Sequence, residues 1–154
     1  MININIICIG KIKESFYREA VAEYAKRLTR FCKFNVVELA ESRLEGSDTQ
    51  KVKVCEGKSI LSKLKGFVIV LDLGGKMLSS IELADKIDSL MCEGVSEISF
   101  VIGGSYGLSD EVKQKADMVL CFGKMTYPHQ LMRVILTEQI YRAFMINSNS
   151  EYHK

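Results

Sequence analysis

The chain has no tryptophan, one proline, two histidines and a net charge of only +2 over 154 residues. Each shortage excludes something. Two histidines without clustered cysteines or carboxylates do not make a metal centre, so no metal is expected. A protein holding RNA by charge alone would carry a larger basic excess, so nucleic-acid binding here requires local patches, a second subunit or recognition of shape. No uninterrupted apolar run reaches bilayer-spanning length, so no membrane association is expected. No P-loop sequence occurs, which argues against a nucleoside triphosphatase. The five cysteines, Cys8, Cys32, Cys55, Cys92 and Cys121, are odd in number and form no CxxC pair. Most sit among apolar residues, and all are read as structural rather than nucleophilic, in a reducing, cytoplasmic protein. The stretch Met1–Ile7 lacks a basic leader and a small-residue cleavage site, and is read as a first strand.

What is present is a soluble globular composition, 47% apolar and 26% charged, enough for one domain over residues 1–154. Strand-like and helix-like patterns alternate. Strands are expected at Ile4–Ile9, Phe34–Leu39, Phe67–Asp72, Ile98–Ile102 and Met118–Phe122. Helices are expected at Glu14–Phe31, Gln50–Lys65, after Ser79 or Ser80, after Ser109, and from Pro128 to about Ile146. Arg43–Thr49, with Gly46, reads as a loop, and Gly74-Gly75-Lys76 as a turn after the third strand. On the last helix Leu131, Ile135, Glu138, Tyr141 and Met145 are spaced along one side. The alternation predicts an α/β fold with a mainly parallel sheet flanked by helices.

Such sheets bind ligands beyond the carboxyl ends of their strands. Glycines mark three of those ends: Leu71-Asp72 before Gly74, Ile102 before Gly103-Gly104, and Phe122 before Gly123. Gly103-Gly104 suits a ligand loop or merely a tight turn. Thr126 suits a helix cap or a binding loop, and His129 a structural or a functional position. Arg133 and Arg142 suit solvated surface charges or phosphate ligands. The terminal Tyr152-His153-Lys154 reads, by itself, as a fraying tail.

Taken together, the motifs Ile9-Gly10-Lys11, Tyr24-Ala25-Lys26-Arg27-Leu28, Leu71-Asp72, Gly103-Gly104-Ser105-Tyr106-Gly107-Leu108-Ser109, Lys124-Met125-Thr126-Tyr127-Pro128-His129, Glu138-Gln139-Ile140-Tyr141-Arg142-Ala143 and Tyr152-His153-Lys154 carry more. Over its full length the chain resembles the pseudouridine N3-methyltransferases of the large ribosomal subunit, the RlmH family of the SPOUT superfamily. The resemblance implies a C-terminal deep trefoil knot, one of the rare exceptions to unknotted chains. It implies S-adenosyl-L-methionine as cofactor and a homodimer in which each active site is completed by the partner. The implied substrate is a pseudouridine in helix 69 of 23S ribosomal RNA, within the assembled 70S ribosome. Carried over by motif, the cofactor residues are Leu71, Gly103, Gly104, Phe122, Gly123, Lys124, Met125, Thr126, Tyr127 and Pro128. Arg142, Tyr152 and His153 are the catalytic candidates facing RNA, which turns the tail into a lid. Gly123 stands where relatives often carry a hydroxyl residue. The proton on N3 must leave, and His153 or a nearby water is the candidate acceptor, with Tyr152 placing it. Two other readings remain open: another SPOUT activity such as ribose 2′-O-methylation of tRNA, and a non-catalytic ribosome-binding factor.

Overall fold

The computed structural model describes residues 1–43 and 48–154. Most of the loop expected over Arg43–Thr49, including Gly46, lies outside the described residues. Five strands and five helices alternate in the order β1 (Asn3–Ile9), α1 (Ser15–Leu28), β2 (Lys33–Leu39), α2 (Thr49–Leu61), β3 (Phe67–Met77), α3 (Ser80–Cys92), β4 (Glu97–Ile102), α4 (Asp110–Gln114), β5 (Met118–Cys121) and α5 (His129–Asn147). The strands form one parallel sheet in the order β2-β1-β4-β3-β5. This is the parallel α/β sheet flanked by helices that the alternating pattern predicts.

Alternate side chains of each strand feed two cores. Ile4, Ile6 and Cys8 of β1 face one core with Leu28, Leu83, Ile87, Leu136 and Ile140, which places α1, α3 and α5 on that side. Ile7 and Ile9 face the other with Ile60 and Val112, under α2 and α4. Both faces of the sheet are therefore covered, and its strands read as continuous apolar runs for that reason.

Local chemistry sets the element ends. Ser79, rather than Ser80, caps α3: its hydroxyl accepts from Glu82 N (3.1 Å), while the Glu82 carboxylate accepts from Ser79 N (2.7 Å). Ser109 caps α4 and Asp48 caps α2 through backbone N–H bonds. α1 stops at Leu28, short of the expected Phe31, and the Thr29 hydroxyl donates back to Lys26 O (2.7 Å). α2 likewise stops at Leu61, with Ser62 bonding back to Ser59 O (2.7 Å).

One expectation is corrected. Gly74-Gly75-Lys76 is not a turn ending β3. Leu120 of β5 pairs with both Leu71 and Lys76, so Asp72–Gly75 form an irregularity inside a strand that continues to Met77. Gly75 makes this possible by close approach: a Cβ there would lie 2.7–2.8 Å from the Val119 and Leu120 backbone. The buried stripe of α5 shares only Tyr141 with the side along which Leu131, Ile135, Glu138, Tyr141 and Met145 are spaced. It is Arg133, Leu136, Thr137, Ile140, Tyr141, Ala143 and Phe144. Leu131, Ile135, Glu138 and Met145 are only half-buried. α5 is apolar on more than one side, so periodicity alone does not choose its core face.

Candidate active site

A cavity of about 290 Å³ opens beyond the carboxyl ends of β3, β4 and β5, at the lower limit of small-molecule sites. Its wall gathers Leu71, Gly103, Gly104, Phe122, Gly123, Met125, Thr126 and Tyr127, all singled out from the sequence. Lys124 and Pro128 stand outside the lining. Asp72 and Ile102, marked as strand ends, and His129, weighed as structural or functional, also line it without having been named among the cofactor residues; Leu120 and Met132 line it too and were missed by sequence reasoning. Asp72 had a signal in Leu71-Asp72, directly at a strand end. Met132 had none, because a methionine on an apolar helix reads as core.

The irregularity in β3 brings Asp72 to the cavity. The Asp72 carboxylate accepts from Gly74 N (3.1 Å) and pairs with Lys113 Nζ (3.4 Å). From β4, the loop closes on itself through a Gly104–Gly107 bridge, with Gly107 N donating to Gly104 O at 3.0 Å. From β5, the chain turns through Gly123 at φ +117, a conformation that side chains rarely adopt. The backbone at this turn accounts for the glycine, whose missing hydroxyl stood out in the sequence. Thr126 does not cap α5; Pro128 occupies the N-cap position and no side chain caps the helix.

His129 is half-buried in the wall. Burial, then the Arg133 guanidinium and Lys13, push its pKa below the ordinary histidine value, against an opposing pull from Glu41. It therefore stands neutral near pH 7. Arg133 is 1% exposed beneath this region. Its Nη2 donates to Ile9 O (2.6 Å) and its Nη1 to Glu38 Oε2 (3.2 Å). Arg133 is thus a structural tie between α5 and the end of β1, and neither a surface charge nor a phosphate ligand.

Arg142, Tyr152 and His153 form a second cluster at the other end of α5. Glu138 is its hub: Oε1 accepts from Arg142 Nη2 (2.6 Å), Arg142 Nε (3.0 Å) and the Tyr152 hydroxyl (3.0 Å). Arg142 lies 4.8 Å over the Tyr152 ring, and Tyr152 meets Tyr141 edge-on at 5.0 Å. The tail is therefore folded against α5 and does not fray. Burial, with the bond to Glu138, pushes the Tyr152 phenol up to about 12, so it stays protonated. Arg142 Nη1 lies 3.2 Å from His153 Nδ1. A guanidinium has no acceptor, so Nδ1 must accept and the neutral imidazole carries its proton on Nε2.

The cavity and the cluster do not meet within one chain. Met132 and Arg142 are ten residues apart on α5, about 15 Å along the helix axis. Between them, α3 and α5 flank a second hollow of about 340 Å³, lined in part by Met77, Leu83, Ile135 and Gln139. Met77, which lines it, is 59% exposed, and Ile81 of α3 is 50% exposed. Among the described residues no group of three metal-ligating side chains occurs, and no helix is long and apolar enough to cross a membrane.

Comparison with known proteins agrees with this architecture. Residues 2–153 match the family model described as "Predicted SPOUT methyltransferase". The chain is 52% identical to "Ribosomal RNA large subunit methyltransferase H" of Lactobacillus acidophilus, across 99% of both chains. It is equally similar, at 52% and 99%, to the protein of the same name from Clostridium novyi. Among solved structures, a probable methylase family protein from Haemophilus influenzae superposes with a TM-score of 0.55 at 15% identity, over 98% of this chain and 70% of that one. That likeness speaks to the fold alone. A family match over nearly every residue, joined to relatives at this identity over the same span, leads to one conclusion: the chain belongs to the RlmH family of SPOUT methyltransferases.

Proposed function

We propose that this protein uses S-adenosylmethionine to methylate N3 of a pseudouridine in helix 69 of 23S ribosomal RNA, in assembled ribosomes, as a cytoplasmic homodimer. The observation that carries this reading is the end-to-end match to proteins named ribosomal RNA large subunit methyltransferase H. The geometry supports it in two ways. The cavity at the strand ends fits the cofactor: Leu71, Leu120 and Met132 offer an apolar slot, the Gly103–Leu108 loop offers peptide groups, and Asp72 offers a carboxylate to a cationic ligand. Leu71, Gly103, Gly104 and the Phe122–Pro128 loop, including Lys124, would hold it. The C-terminal third would be knotted, as in its superfamily.

The separation of cavity and cluster supports a site shared between two chains. Arg142, Tyr152 and His153 of one protomer would complete the cavity of the other, with the half-buried Leu131–Ile135 side of α5 and the exposed Met77 and Ile81 supplying apolar contact. Bound S-adenosylmethionine supplies a methyl group on a positively charged sulfur. The protein's part is positioning, which accounts for much of the rate in such a transfer. The N3 proton must leave so that nitrogen attacks carbon. Tyr152 holds its proton, Glu138 is occupied by Arg142 and Tyr152, and the His153 lone pair faces Arg142. We therefore assign His153 as a hydrogen-bond donor through Nε2, in place of the proton acceptor considered from the sequence. Water or hydroxide takes the proton. Arg142 and the His153 Nε2–H stabilise the negative uracil edge left behind.

The test is methyl mapping. Ribosomes lacking the modification are incubated with the protein and labelled S-adenosylmethionine, and the labelled nucleoside is identified and located. Label at N3 of a helix 69 pseudouridine is expected. Label on a tRNA ribose would favour the other SPOUT activity. Absence of cofactor binding by calorimetry would favour a ribosome-binding factor.

A further inference from the structure

We propose that the C-terminal end of α1 is an RNA-backbone grip, in which Lys26 and Arg30 hold phosphates flanking the nucleotide that the tail cluster addresses. This rests on the functional reading above and extends it to a surface outside the cavity. Lys26, Arg27 and Arg30 are exposed and rim a groove of about 470 Å³ between α1 and α5. Among the described residues the one carboxylate in its lining, Glu23, is paired with Arg27 at 2.9 Å. Three cations against one carboxylate leave two positive charges, equal to the net charge of the whole chain. Helix-end electrostatics accounts for Lys26 and Arg27 in the last turn of α1. It does not account for Arg30, which lies beyond the helix.

The groove is continuous with the tail. Arg27 lies 5.4 Å over the Tyr24 ring and 5.8 Å over Tyr141. Tyr141 meets Tyr152 edge-on, and Tyr152 underlies Arg142. A single basic and aromatic ridge thus runs from Lys26 and Arg30 to Arg142 and His153. Tyr141 is 9% exposed, and Tyr24, Tyr152 and the groove's Phe31 and Met145 are half-buried, so the side chains most exposed to a partner are Lys26, Arg27 and Arg30. A protein partner would be met by an exposed apolar centre. Cations set beside an RNA-facing cluster match a phosphate backbone.

The test is binding of K26A/R30A and K26E/R30E to 70S ribosomes by co-sedimentation across a KCl series, beside wild type. For the alanine pair the expected result is about tenfold or more weaker binding at 100 mM KCl and a log–log salt slope reduced by about 1.4, two phosphate contacts on single-stranded RNA. Charge reversal should weaken binding further. Calorimetric binding of S-adenosylmethionine and the sedimentation of the free protein should not change. Unchanged ribosome affinity and slope in the folded variants would overturn the proposal. Loss of self-association in them would also overturn it, assigning the groove to contact between copies. Ribosome binding is read without methylation, so a protein that binds through this groove but places no methyl on ribosomal RNA would refute the functional reading alone.

Discussion

The tail geometry makes a sharp prediction about pH. Arg142 Nη1 occupies the lone pair of His153 Nδ1 at 3.2 Å, so the ring offers a donor outward and no base. If water or hydroxide removes the N3 proton, the single-turnover methylation rate rises tenfold per pH unit below the pKa of the imide itself. From pH 6.5 to 8.5 that is about 100-fold. A side-chain base that finishes titrating inside this window would give a plateau instead. The two outcomes differ in whether the rise continues to the top of the window. Neither Tyr152, pushed up to about 12, nor His129, pushed below the ordinary histidine value, adds an inflection in this window. Replacing His153 separates the roles further. Loss of a donor to a charged edge costs about 1.5–3 kcal/mol, or about 10- to 100-fold in rate. H153A should therefore lower the whole profile by that factor and leave its slope unchanged, while H153Q, which retains an N–H donor, recovers part of the loss. The assay is rapid-quench methylation with enzyme in excess over ribosomes. A plateau near pH 7 in wild type that disappears in H153A would refute the tautomer argument.

Three further perturbations test the frame around the site. His129 has a folded pKa below its unfolded value, so the stability it contributes is present above about pH 6.5 and is lost as pH falls through the lower folded value. The melting temperature of wild type minus that of H129Q should shrink between pH 7.5 and 5.5, and a constant difference would remove His129 from the account. R133M keeps volume but deletes a charge-assisted bond to Ile9 O, at about 2 kcal/mol, and should lower the melting temperature by about 4–8 °C. Equal stability would show that the buried guanidinium is dispensable to the fold. G75A forces a Cβ against the β5 backbone, which should destabilise by about 1–3 kcal/mol in urea melts and weaken S-adenosylmethionine binding in calorimetry. Normal cofactor affinity in G75A would separate the β3 irregularity from the cavity.

Features governed by local chemistry were legible in the sequence. The strands at Ile4–Ile9 and Ile98–Ile102 are apolar runs bounded by glycine, and each lies within one residue of its structural limits. The cap at Ser109 follows from one hydroxyl and the acidic first turn after it, and the sequence narrows that of α3 to Ser79 or Ser80, of which Ser79 is the cap. Features governed by a partner strand were not. Asp72–Gly75 resembles a turn until β5 lies beside it, because only the double pairing of Leu120 keeps the chain in the sheet. The same holds for Arg133, whose burial depends on a carbonyl 124 residues away in sequence.

The apolar pattern of α5 bears directly on the site. A helix with one apolar stripe has one solution for its core face. α5 has two, and on the side spaced by Leu131, Ile135, Glu138, Tyr141 and Met145 only Tyr141 is buried. The redundancy has a physical use in this chain. Leu136, Ile140 and Phe144 are committed to the sheet, while Ile135 borders the hollow shared with Met77 and Leu83. A helix that is covered on one side by its own sheet and apolar on a second side has a surface left for another chain. Because the helix also separates the cavity from the Arg142 cluster by about 15 Å, a second copy docked on that surface could supply what one copy cannot reach. Under the proposed dimer, the apolar excess that blurred the periodicity and the separation of cavity and cluster have the same cause. A monomeric variant, for instance M77E/I81E, should bind S-adenosylmethionine yet fail to methylate, and full activity in a sedimentation-verified monomer would break that link.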